Sequence, residues 1–216
     1  MSPAEKLSSF VASTTVFLMF WLVSVVAPKL VEAGINSHCL LGLASLLTSA
    51  GMYRGLALLI RWLMEKSAWI RRLVFGPYYM YGTWVGEFTG HDGDKRYMVE
   101  HFCQEIDSLT ISGRSFTIHH TEHGYWRSES VTVDARNGRL IFTYIFENLS
   151  RSSSLYGVHT SSFERSSAKY APTKISGFAQ DMNDTMRIAV HSEKISESLL
   201  PWNEALKKIG AVGRIP

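Results

Sequence analysis

Apolar positions are distributed along this chain in two regimes. From Leu7 to Pro28 no residue carries a charge, and the stretch reads LSSFVASTTVFLMFWLVSVVAP. A bilayer core takes about 20 apolar residues of helix, so this run predicts a transmembrane helix over about residues 8–28. A second uncharged run, Ala33 to Tyr53, continues as GLALLI after Arg54 and predicts a second span over about 38–62. Arg54 lies late in it, where a long cationic side chain can snorkel to the headgroups. A signal peptide fits the first run less well, because its apolar region is usually about 7–15 residues and ends in a small-residue cleavage site.

The stretch RWLMEKSAWIRRLVFGP that follows places Trp62, Leu63, Lys66, Trp69, Ile70 and Leu73 at helical spacing. Tryptophans flanked by arginines suit a membrane interface, which predicts a juxtamembrane helix. Gly76 and Pro77 stop it, so the chain divides into a membrane domain, 1–76, and a second domain, 77–216.

From Gly82 onward the period changes to two. TWVGEF, RYMVEHF, SLTIS, SFTIHHTEH, YWRSESVTVD, RLIFTYIFEN, YGVHTSSFE, TKISGFAQ and MRIAVH are short runs rich in β-branched and aromatic residues. Turn signals such as HDGD, SGR, ARNG and DMND separate them. About eight strands joined so closely predict an antiparallel up-and-down β-barrel of lipocalin-like form, since closure removes the exposed edges of an open sheet. A small sandwich is the alternative. Trp84, between Gly82 and Gly86, is the expected plug of one barrel end. SESLLPWNEALKKIG reads as a short C-terminal helix whose Trp202, Leu206 and Ile209 would cover an end. RSSS at 151–154 and RSS at 165–167 read as loose loop.

Charge then orients the molecule. The net charge is +3 over 216 residues. Arg61, Lys66, Arg71 and Arg72 follow the second span, whereas the connection between spans offers Lys29 against Glu32. The positive-inside rule places both termini and the β domain in the cytoplasm. A basic cluster beside the spans suits anionic lipid rather than a DNA or RNA polymer. Cys39 and Cys103 fall in different domains and are poor disulfide partners.

No nucleophile elbow, phosphate loop, HExxH helix or CxxC pair occurs, so a binding module is favoured over an enzyme. HHTEH at 119–123 invites a metal reading. On one strand, however, His119 and His123 would lie about 13 Å apart, too far to chelate one ion. On YWRSESVTVD, inward Val131 and Val133 carry Tyr125, Arg127 and Glu129 inward by the same parity. An inward arginine requires an internal carboxylate such as Glu129, water at a mouth, or an anionic ligand. In the last case Arg127 would clamp a phosphate while Tyr125 stacks on a base. Tyr144 and His120 are further candidates for a ligand site, each with a purely packed alternative. Gly51 and Gly55 form a GxxxG spacing that lets membrane helices approach closely.

Two N-terminal spans, the GxWxG first strand (Gly82, Trp84, Gly86), the alternation Phe142, Tyr144, Phe146 ending at Asn148, and the ISG strand from Ile175 to Gly177 together carry a resemblance. The chain resembles the SMODS-associated two-transmembrane, β-strand-rich effectors of bacterial CBASS antiphage systems. The resemblance implies a bacterial inner-membrane protein whose cytoplasmic barrel binds a cyclic dinucleotide made by a partner nucleotidyltransferase. Binding would promote assembly of the spans into a homo-oligomer, disrupt the membrane and stop the infected cell. No cofactor is implied. Two other readings compete: a membrane-tethered lipocalin-like carrier of an apolar molecule, whose interior should lack a functional arginine, and a scaffold that uses only the outer surface.

Overall fold

A computed structural model of the protein describes residues 3–32, 38–90, 92–149, 153–165, 170–182 and 186–211. The chain divides into two compact units, Met1–Val74 and Phe75–Pro216. In the first, α1 spans Pro3–Glu32, α2 His38–Lys66 and α3 Ala68–Phe75. Hydroxyls in the apolar α1 are satisfied locally: Thr15 donates to the Val11 carbonyl at 2.8 Å and Ser24 to that of Phe20 at 2.8 Å. Such back-bonding removes the cost of carrying a hydroxyl on an apolar helix.

Among the described residues, one helix is long and apolar enough to cross a membrane, over Pro3–Val25. The second expected span does form a long helix, α2. The connection between α1 and α2 lies outside the described residues, as does most of the two serine-rich segments expected to be loops. Gly51 and Gly55 lie on α2 with nothing within 4 Å of either Cβ position, so their face is not used in packing α1 on α2.

The second unit begins with a 3-10 turn, Gly76–Tyr78, and continues into eight antiparallel strands. These are β1 Gly82–Thr89, β2 Lys95–Gln104, β3 Leu109–Thr117 and β4 Glu122–Asp134, then β5 Arg139–Asn148, β6 Ser153–Glu164, β7 Lys174–Asp181 and β8 Arg187–Ser196. Each strand pairs with its neighbours in sequence, and β8 closes on β1. This is the up-and-down barrel that the strand pattern predicts; α4, Trp202–Ala211, completes the unit.

The interior has two levels, because the ends of the strands alternate between them. At the end where the chain enters, Met80, Trp84, Phe102, Ile111, Leu140 and Phe163 pack into one apolar cluster. Trp84 is fully buried, lies against Phe102 at a ring distance of 5.1 Å, and donates its indole N–H to the Met80 carbonyl at 3.0 Å. It fills that end of the barrel. Full burial of so large a side chain with its single donor satisfied is the economical use of tryptophan.

The C-terminal helix differs from expectation in its position. It packs on the outer face of β1 and β2, where Val85 and Val99 meet Ala205 and Leu206, and covers no end. Thr83 fixes the approach: its hydroxyl donates to the Ser198 carbonyl at 2.7 Å and accepts from the Leu200 N–H at 2.8 Å. Strands β1 and β2 are therefore buried on both faces, one by the barrel interior and one by α4.

Candidate functional site

Above the Trp84 cluster, and away from the end where the chain enters, the barrel holds a cavity of about 490 Å³. That volume falls in the range of small-molecule sites, and eight strands leave room for one small ligand. Its walls are aromatic: Phe88, Trp126, Phe142, Tyr144 and Phe146 all line it. Glycines make room for the rings. A Cβ at Gly113 would collide with the Trp126 indole, and one at Gly157 with the Tyr144 ring, so the adjacent strand is bare where each large side chain crosses it.

Polar groups occupy two layers. At the mouth, beside the β1–β2 turn, Arg96 is buried and forms an ion pair with Asp92. Asp94, Asn148 and Asp181 share this rim. Tyr144 donates its hydroxyl to Asp181 at 3.0 Å, and burial, reinforced by the Asp181 charge, raises its phenol well above the usual range. Tyr144 is thus held as a neutral donor.

Deeper lie Glu100 and His159. Glu100 is paired with Trp84 in the β1–β2 register, and His159 with Phe142 in the β5–β6 register, so both stand beside members of the apolar cluster, at the floor of the cavity. Glu100 accepts a hydrogen bond from Ser192 at 2.9 Å and another from the Trp126 indole. Burial nevertheless pushes its carboxyl up to about 7, because these two hydrogen bonds do not offset the lost hydration. His159 stacks on Phe142 at 4.5 Å, and burial lowers its imidazole to about 4. At neutral pH it is uncharged.

The residues selected from sequence fall in different places. Tyr144 lines the cavity. Tyr125 and Arg127 do not: both point outward, and Tyr125 is 45% exposed. The parity argument fails at a β-bulge between Ser128 and Ser130 in the ladder with β5. Val131 and Val133 do pack against the core, but the extra residue reverses the alternation, so Gly124, Trp126 and Ser128 face inward instead. Glu129 is exposed and is no internal partner for Arg127. His120 is exposed in the β3–β4 turn with φ 63°, its ring edge-on to Tyr97 at 6.2 Å on the outer side. HHTEH therefore crosses a hairpin instead of running along a strand. Of its histidines, His123 lines the cavity.

Arg96, Glu100, Trp126 and His159 were missed. The signal was available for Trp126, since SES between Arg127 and Val131 interrupts the apolar alternation at the bulge. For Arg96 and Glu100 there was none, because both parities of β2 carry apolar residues, Met98 and Phe102 on one and Tyr97 and Val99 on the other. The sequence matches no known protein family and no curated protein.

Proposed function

We propose that the chain is a membrane-anchored receptor and effector of a bacterial antiphage system, whose barrel takes a cyclic dinucleotide into the cavity. The observation that carries this reading is an enclosed, aromatic-walled cavity with a buried arginine at its mouth. Flat aromatic faces stack bases without regard to sequence, worth about 1–3 kcal/mol per base. Arg96, in place of the outward Arg127, offers the guanidinium fork that phosphate prefers. A phosphate arriving there competes with Asp92, whose carboxylate is partly exposed on the β1–β2 turn. The rim carboxylates accept hydrogen bonds from base amino groups and ribose hydroxyls. In this reading α1 and α2 both lie in the inner membrane with the barrel in the cytoplasm. The open Gly51 and Gly55 face then serves helix association after ligand binding, and the assembled helices breach the membrane.

The test uses the full chain in detergent, with cyclic dinucleotides and fatty acids as competing ligand sets in thermal-shift titrations. Stabilisation by a cyclic dinucleotide is expected. Arg96→Ala should weaken it about 10- to 100-fold, the loss of one charge-assisted hydrogen-bonded contact, while Arg127→Ala leaves it unchanged. Stabilisation by fatty acids alone would establish the apolar carrier instead.

A further inference from the structure

The deep layer of the cavity has features that a phosphate site does not require. His159 is 5% exposed, lines the cavity, and no described residue hydrogen-bonds its imidazole. Its ring is fixed in plane by Phe142 behind it. With no described partner in the wall, its ring nitrogens are left to whatever group fills the cavity in front of them. Glu100 faces the same space from the other side: β2 and β6 stand four strands apart in a closed ring of eight, on opposite walls. Two donors, Ser192 and Trp126, already orient its carboxyl. The two groups thus present hydrogen-bonding atoms across one aromatic-walled chamber, and among the described residues neither is paired with a cation.

From this juxtaposition we infer that Glu100 and His159 read the edge of a planar nitrogen heterocycle, one base of the nucleotide, which enters first and lies on the floor of the barrel. The inference rests on the nucleotide reading of the cavity and adds its polarity: base deep, phosphate at Arg96. A neutral imidazole supplies one donor and one acceptor, and a carboxyl supplies an acceptor together with, when protonated, a donor. Such a pair discriminates bases by the order of donors and acceptors on their edges, whereas stacking does not. A fatty-acid chain would leave both groups unsatisfied. A phosphate placed between them would meet a carboxylate on one side and an uncharged ring on the other.

The experiment titrates the full chain in detergent with a panel of cyclic dinucleotides that differ in their bases. His159→Phe keeps the stack and removes both nitrogens; Glu100→Gln keeps shape and neutrality and exchanges an oxygen for a donor. His159→Phe is expected to weaken the preferred ligand at least 10-fold and to compress the spread across the panel, and Glu100→Gln to change the rank order. His159→Gln, which restores a donor and an acceptor, should recover part of the loss and serves where the phenylalanine variant fails to fold. Wild-type affinities and rank order in all three variants, with Arg96→Ala still defective, would overturn the inference and leave the proposed function standing. If no cyclic dinucleotide binds the wild type, that function falls, and free nucleosides observed by ligand NMR decide the floor. Broadening of base signals by wild type and not by His159→Phe sustains it; equal broadening, or none, overturns it.

Discussion

Where the chain enters the barrel, the interior is filled by Met80, Trp84, Phe102 and Ile111, all essentially buried; at the other end the same strands enclose an open cavity with Arg96, Glu100 and His159 in its walls. The difference is made within single strands. On β1, Trp84 fills the interior, and Phe88, four residues on along the same face, lines the cavity. On β2, Phe102 faces the plug while Glu100 and Arg96, on the same face, line the cavity. One face of one strand thus serves stability at one end and ligand chemistry at the other. Substitutions on the inward parity should accordingly divide by level and not by residue type.

Three measurements sharpen that division, from the strongest effect downward. Trp84→Ala should cost about 3–5 kcal/mol through the cavity it leaves, read as a lower unfolding midpoint of the full chain in detergent. A loss below about 1 kcal/mol would mean that the plug is not what holds the barrel.

The second concerns the two buried titrating groups, which act in opposite directions. Glu100 titrates at about 7 in the folded chain against an ordinary 4.5, so the folded state holds the proton more tightly, and its contribution to stability falls as pH rises from 4.5 to 7. His159 titrates at about 4 against 6.5, so the unfolded state takes the proton first, and its contribution is present above 6.5 and lost as pH falls toward 4. Each contributes a slope of at most about 1.4 kcal/mol per pH unit, and the two offset one another between pH 4.5 and 6.5. Over that interval Glu100→Gln should gain about 2–3 kcal/mol of stability as pH rises, and His159→Phe should lose a similar amount. Parallel pH profiles of wild type and both variants would show that the deep layer is hydrated like the surface.

The smallest effect is expected at the rim. Asp92→Asn removes the competitor for Arg96 and should tighten a phosphate-bearing ligand about 2- to 5-fold, within the range of a part-exposed ion pair. Isothermal titration resolves this, and weaker binding would show that Asp92 itself touches the ligand.

Much of the barrel was legible because its information is local. Short β-rich runs, closely spaced turn signals and the glycines around Trp84 determine strand number, connection and the identity of the plug. The site was less legible because its geometry depends on partners. A bulge at Glu129, visible in the pairing of β4 with β5, turned Arg127 from inside to outside without changing the composition of its strand. The outer cover supplied by α4 put apolar Tyr97 and Val99 on the outward parity of β2, so alternation did not single out the face that carries Arg96 and Glu100. His159 sits between Gly157 and Ser161 on the inward face of β6, where small residues give alternation little contrast. Residue type alone indicated Tyr144, and its position in the cavity followed from the register.

Gln104 adds a mechanical consequence. Its side chain donates to the Tyr78 carbonyl at 2.7 Å and accepts from the N–H groups of Met80 and Tyr81 at 2.8 and 3.3 Å. One carboxamide thus clasps three backbone groups of the incoming segment, much as a neighbouring strand would. From Tyr78 onward the chain turns with the barrel as one rigid stem. Phe75, buried and stacked on Tyr79 at a ring distance of 6.5 Å, carries that attachment back to the first residue of the unit, with Gly76 at φ 53° making the turn between them.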